Sequence, residues 1–443
     1  MKLKNWRYLD IFTVFNFQDS RARGRCVMLV SAVMSTLASQ LCMSGTIYTA
    51  FLTANHFSIV DTGVLTFIAP ITACFSIFSP ALLERFKKRR AILTISRILY
   101  YSINIIGITL LTYLAKDQTA KLIGFAVIIF LSHSCNALTS SGYTVWHLNF
   151  IPNDVRMRYF SYQQIISGLS SGLLLMVSGA IADAIRGTAH ELTILLVLRL
   201  IGYAFAIADI VALALPKEYP YPSDGKRIRI ANTFLLPFRH KKFMFTMLLL
   251  ALWGFGSALP STWTYYLMNT VDIKITLINA IEFAYAIVLL LVAPFARRML
   301  SRFSWFNTFA AAAVCHGVLT FSLAFIRSVP NPSVYFVVIR LLQHIEGVAL
   351  NLSYANFPFI NMPKENQTCF LSFYTFMVNL VNFSGQMTGT FLVKLLGSRL
   401  IPLFGTNLEA PALLVLIQAL FQFAVAALIF SLQKQLKPDG DTA

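Results

Sequence analysis

Apolar residues arrive along this chain in runs of about 20, separated by short polar turns. That rhythm matches the roughly 30 Å hydrocarbon layer that a helix crosses at about 1.5 Å per residue. Twelve such runs are read, at 27–53, 62–83, 91–114, 122–146, 160–184, 192–214, 243–268, 275–296, 305–327, 333–357, 369–396 and 411–432. They are called spans 1 to 12. A membrane barrel would instead need strands of about 10 residues with period-two alternation. The pattern therefore predicts helices throughout.

Composition agrees with a membrane location. Hydrophobic residues make up 57% and charged residues 12% of the 443 positions, and the mean hydropathy is +0.68, too apolar for a soluble domain. The polar start, with Lys2, Lys4, Arg7, Arg21, Arg23 and Arg25, leads into a run too long for a signal-peptide core. Span 1 is expected to stay in place.

The net charge of +18 raises nucleic acid as a partner, so the placement of the 36 basic residues matters. Twenty-six lie before span 1 and in every second segment after it, while only Lys116, Lys121, Arg186, Lys274, Arg327, Lys394 and Arg399 lie in the others. Arg97, Arg199 and Arg340 fall within spans. This asymmetry follows the positive-inside rule, with both termini cytoplasmic in a cell membrane. Lys226, Arg227 and Arg229 lack the interleaved aromatics of a nucleic-acid surface. The six cysteines stand singly without metal-ligand spacing, and no metal or cofactor is expected. Sequons at Asn351, Asn366 and Asn382 fall in spans or a cytoplasmic loop and are discounted.

The longest loop, rich in proline and basic residues, separates six spans from six and divides the chain into 1–215, a cytoplasmic central loop 216–242, and 243–443. The two halves echo one another. Ile151-Pro152-Asn153-Asp154-Val155-Arg156 follows span 4, and Met362-Pro363-Lys364-Glu365-Asn366-Gln367 follows span 10, at an offset of 211. Pro80-Ala81-Leu82-Leu83-Glu84-Arg85 and Pro294-Phe295-Ala296-Arg297-Arg298-Met299 form a weaker echo at 214. A fixed offset is the mark of an internal duplication.

Two six-helix halves, a long basic central loop and "PALLERFKKRR" between spans 2 and 3 resemble the major facilitator superfamily, the bacterial twelve-helix secondary transporters. The resemblance covers nearly the whole chain. Glu84, Arg85, Lys88 and Arg89 match the family's G-x-x-x-D-R-x-G-R-K signature, while Pro80 and Lys87 replace its glycines. "IPNDVRMRYF" is similar to the family's P-x-x-x-R loop through Pro152 and Arg156, with Asn149 where many sugar carriers have Glu. The resemblance implies an all-α fold of two pseudo-symmetric bundles and a cytoplasmic gate of Glu84, Arg85, Arg89 and Arg156. The alternative is basic loops that only fix orientation.

Within "LLQHIEG", His344 lies 211 residues after His133, so two histidines hold equivalent depths about 16 Å from their helices' outer ends. Helical spacing gives each a polar stripe: His133, Asn136, Ser140 and Tyr143 on span 4, and Arg340, His344, Gly347, Asn351 and Tyr354 on span 10. Spans 1, 4, 7 and 10 line the central cavity in the superfamily, so the resemblance directs both stripes at one solute space, with Trp263 and Tyr266 of span 7 able to stack on a ring. The alternative for both histidines is packing against neighbouring helices. Glu346 sits about 200° around from His344, beside Gln343, and is the expected proton-coupling acid, with Glu282 of span 8 second. His316, Arg97, Arg199 and Asp209 occupy spans peripheral in the superfamily and are expected to be structural.

No P-loop motif occurs, which excludes phosphate-cradle ATP chemistry. The expectation is a secondary carrier of a small organic solute, coupled to protons. Absence of the Gly-Pro pair that antiporters of the superfamily carry in span 5 favours import over solute or multidrug efflux. A membrane-embedded enzyme is disfavoured because His147 has no nucleophile spaced to meet it. A receptor is disfavoured because no loop is long enough for an output domain.

Overall fold

The computed structural model describes residues 14–15, 20–83, 86, 88–148, 150–151, 153–218, 230–363 and 367–436. Span 1 comprises Ser20–Cys42 and Gly45–Ala54, span 2 Ile59–Ala73, and span 3 Arg90–Tyr101 and Gly107–Leu114 joined by a π-helical turn, Ser102–Ile106. Spans 4 to 6 are Gln118–Leu148, Asn153–Ile185 and Glu191–Ala214. Span 7 comprises Lys241–Ala258 and Trp263–Asn269, and spans 8 to 12 are Ile275–Arg302, Trp305–Leu323, Pro332–Ile360, Gln367–Leu396 and Ala410–Leu436. The fold is an all-α membrane fold of twelve helical spans in two bundles. Among the described residues, eleven of these are long and apolar enough to cross a membrane. Span 11 is the more polar twelfth, carrying Asn379, Asn382, Ser384, Gln386 and Thr390 along its 30 residues.

Contacts divide the chain into two compact units: 1–55 with 78–228, and 56–77 with 229–443. Span 2 thus belongs with the later helices, where Phe67 meets Phe383 of span 11 edge-on at 5.7 Å. The central segment, read from sequence as loop alone, also contains a helix, Ile230–Phe238. Its apolar residues explain the difference: Phe234 and Phe238 dock on Phe373 of span 11 at 6.4 and 5.6 Å.

In the first unit, buried charged groups meet partners on neighbouring spans. Asp209 of span 6, with no exposed surface, accepts from Ser31 at 2.5 Å and Tyr101 at 2.7 Å and pairs with Arg97 Nε at 3.3 Å. Two hydroxyl donors and the Arg97 guanidinium charge around one carboxylate offset the desolvation that a lone charge would suffer. Near the other end of span 6, Arg199 is wholly buried, gives Nη1 to the Cys42 carbonyl at 2.7 Å, and lies 4.4 Å over the Phe51 ring. A cation placed there satisfies a carbonyl left open where the first half of span 1 ends.

Spans 1 and 7 are both interrupted, each toward its second end. Span 7 breaks at Pro260, which has no N–H to continue the ladder; the chain turns there, Trp263 donating its N–H to the Pro260 carbonyl at 2.9 Å. The second unit's core, with Phe243, Trp253, Phe309, Phe357 and Phe370 among its largest side chains, holds the helices on either side of the site.

Candidate solute site in the second unit

Beside the break in span 7 lies a cavity of about 280 Å³. Its polar lining comes from five spans: Ser257 and Thr264 of span 7, Glu282 of span 8, His316 and Thr320 of span 9, Arg340 and Gln343 of span 10, and Gln418 of span 12. Trp263, Leu267, Ile278, Leu323, Phe336 and Val415 supply the apolar wall. Polar side chains outnumber apolar ones along this lining, which suits a polar or charged small molecule with an apolar part.

Span 10 organises the polar groups. Asn331 caps its start, its side chain accepting from the Val334 N–H at 3.2 Å, and Pro332 occupies the first turn, where no N–H is required. One helical turn then brings Arg340 and Gln343 together. Arg340 Nη2 pairs with Glu282, and Nη1 donates to Gln343 Oε1 at 2.9 Å. Gln343 Nε2 in turn donates to Thr320 Oγ1 at 3.1 Å. The result is a continuous chain of hydrogen bonds from span 8 across span 10 to span 9. One turn further along, Glu346 bonds His316 Nδ1. The carboxylate's other oxygen, Oε2, is buried with no hydrogen-bond partner among the described residues.

His316 therefore faces the cavity while its partner Glu346 stands outside the lining. This role was invisible in the sequence, where His316 read as peripheral. A bond between residues 30 positions apart on antiparallel helices leaves no linear signal. Proline at position 260 inside an otherwise apolar run was the available clue to the span 7 break.

The other expected site residues divide. Trp263 lines the cavity and stacks on Tyr266 at 5.3 Å, while Tyr266 itself is buried. His344 is buried and directs Nε2 at the Ile281 carbonyl of span 8 at 3.0 Å, a contact in which Nε2 carries a proton and donates it. Asn351 donates to Tyr285 at 2.8 Å, and Tyr354 stacks on Phe309 at 6.2 Å. In the first unit, His133 meets Tyr100 edge-on at 5.3 Å and Asn136 accepts from Arg97 at 3.3 Å. Ser140 bonds back to the Ala137 carbonyl at 2.9 Å. Tyr143 donates to the Leu93 carbonyl at 2.9 Å, with the Arg97 guanidinium 4.3 Å over its ring.

Of the expected gate, Glu84 and Arg85 lie outside the described residues, and Arg156 is described only as part of the span 5 helix. Arg89 is half-buried at the start of span 3. There the Glu218 carboxylate accepts the backbone N–H groups of Arg89 at 2.5 Å and Arg90 at 3.0 Å. An acid at a helix start satisfies otherwise open donors and favours the helix dipole.

The chain belongs to the Major Facilitator Superfamily, whose profile matches residues 26–386. Solved structures with the same fold include a bacterial homologue of the iron transporter ferroportin in an inward-facing state, at 12% identity and a TM-score of 0.70, covering 92% of this chain and 98% of that one. The nucleoside transporter NupG aligns at 14% identity and a TM-score of 0.63, covering 94% and 99%. A D-xylose–proton symporter aligns at 13% identity and a TM-score of 0.67, covering 92% and 97%. No curated protein matches the chain in sequence. The protein is a multi-pass membrane transporter of this superfamily.

Proposed function

We propose that this transporter is a proton-coupled importer of a small organic solute in the cell membrane, with both termini cytoplasmic, working by alternating access. The observation that carries the reading is the Glu346–His316 pair at the edge of the second-unit cavity, with Glu346 Oε2 buried and unpartnered among the described residues. A carboxylate left half-satisfied in a dry environment is costly when ionised, and a proton removes that cost. Glu346 is the coupling acid in this reading, and His316 is the group through which a proton reaches it from the cavity. Glu282, already paired with Arg340, serves the solute instead. The His133 and His344 stripes, with Asn136, Ser140, Tyr143, Asn351 and Tyr354, remain proposed contributors to solute binding, and Glu84, Arg85, Arg89 and Arg156 to a cytoplasmic gate. One of the similar folds is described as a proton symporter, which is compatible with this coupling and does not specify the solute.

The test uses purified protein in liposomes. Glu346→Gln imitates the protonated acid, so it should abolish accumulation driven by a pH gradient and keep solute exchange. Gradient-driven accumulation at the native level in that variant would rule out Glu346 as the coupling acid.

A further inference from the structure

We infer that the solute is a zwitterion carrying a primary ammonium and a carboxylate on an apolar body, of which free amino acids with apolar side chains are the simplest case. The inference rests on the transport reading above and adds the chemical class.

The argument starts from what any solute entering this cavity has to displace. Arg340 and Glu282 form an ion pair in the cavity lining, and both keep access to open space, with side chains 27% and 47% exposed. A neutral solute packed against them would strip water from both charges and return nothing ionic. A carboxylate alone would compete for Arg340 and leave Glu282 facing a second anion. An ammonium alone would strand the guanidinium. Only a solute with both charges compensates both partners.

Geometry favours the same class. Arg340 is held from behind by Gln343, which Thr320 fixes in turn, so the guanidinium fork is oriented before the solute arrives. Among the described residues Glu282 has no second side chain bracing it beyond Arg340, so it can swing to an ammonium. The apolar part of the lining, with Trp263, Leu267, Ile278, Leu323 and Phe336, accepts an apolar side chain. The volume of about 280 Å³ lies just below the roughly 300–1,000 Å³ range of drug-sized sites. That volume accommodates a small solute.

The experiment compares solutes matched in shape and differing in charge. L-leucine and L-phenylalanine are the zwitterions, L-leucinamide the cation, N-acetyl-L-leucine the anion, and uridine and D-xylose the neutral probes. Binding is read from ligand-dependent thermal stabilisation of the purified protein and uptake from proteoliposomes. At least one zwitterion should bind at least about tenfold more tightly than every other probe. In Glu282→Gln, the zwitterion should weaken by about tenfold while N-acetyl-L-leucine gains, because the repelling acid is gone. Equal or tighter binding of an anion, cation or neutral probe by the native protein overturns the inference, as does failure of both amino acids to bind. A zwitterion that binds with the expected selectivity but is not accumulated under a pH gradient upholds the class and sinks the proton-coupled reading.

Discussion

Glu346 on span 10 bonds His316 on span 9 through one carboxylate oxygen, and the other oxygen is buried without a partner among the described residues. The arrangement ties a buried acid to a cavity-facing imidazole. If the two act as one proton-handling unit, their losses should not multiply. His316→Gln should cut pH-gradient-driven uptake by at least about tenfold, and a double variant combining it with the milder Glu346→Asp should be no worse than the poorer of its two single variants. Initial rates in liposomes with an imposed pH gradient measure this. Multiplying losses would mean two independent roles.

The Asp209 cluster makes a different prediction, about stability. Asp209→Ala leaves Arg97 without its carboxylate and Ser31 without its acceptor, while Tyr101 keeps only Ser35 at 3.0 Å. Loss of one partner of a buried pair costs about 3–5 kcal/mol. The variant should melt at a clearly lower temperature in detergent, with Tyr101→Phe showing a smaller drop. A melting temperature equal to the native one would show that the cluster is not what holds spans 1, 3 and 6 together.

Span 11 contains Gly385 and Gly389, four residues apart, and both face the backbone of span 7 near its break. A Cβ at Gly389 would collide with the Leu259 carbonyl oxygen, and one at Gly385 would lie 2.7 Å from that of Phe255. Small residues at this spacing let two membrane helices approach backbone to backbone. Gly389→Ala should therefore destabilise by about 1–3 kcal/mol through overpacking and disturb the solute cavity, lowering affinity. Gly168→Ala is the control, because its Cβ would meet nothing within 4 Å. Thermal unfolding of both variants side by side checks the contrast; equal effects would refute the contact argument.

Orientation is checked by single cysteines in a background without the six native ones. Lys116 and Asn407 are exposed at one set of helix ends and Arg302 at the other. An impermeant thiol reagent added outside intact cells should label cysteines at 116 and 407, and should reach 302 only after the membrane is opened. The reverse pattern would place the termini outside.

The sequence determined the spans by itself, because crossing a hydrocarbon layer requires a local run of apolar residues whose length can be counted. It also shows the fixed separation of Pro152 and Pro363 that points to a repeat, and it places His133 and His344 inside spans. Arg340 and Glu282 were recognisable as charged groups within spans. What it could not determine was where each side chain turns. Helical spacing fixes the angle between Arg340, Gln343 and His344 relative to one another, but the rotation of span 10 about its axis depends on which ridges its neighbours offer. Packing turns Arg340 and Gln343 to the cavity and sends His344 to the Ile281 carbonyl. In the same way it turns Asn136 and Tyr143 toward Arg97. The Glu346–His316 bond and the placement of span 2 with the later helices are likewise meetings of residues distant in the chain. Such contacts are chosen by the sum of all helix–helix packing energies, a quantity no local stretch of sequence contains.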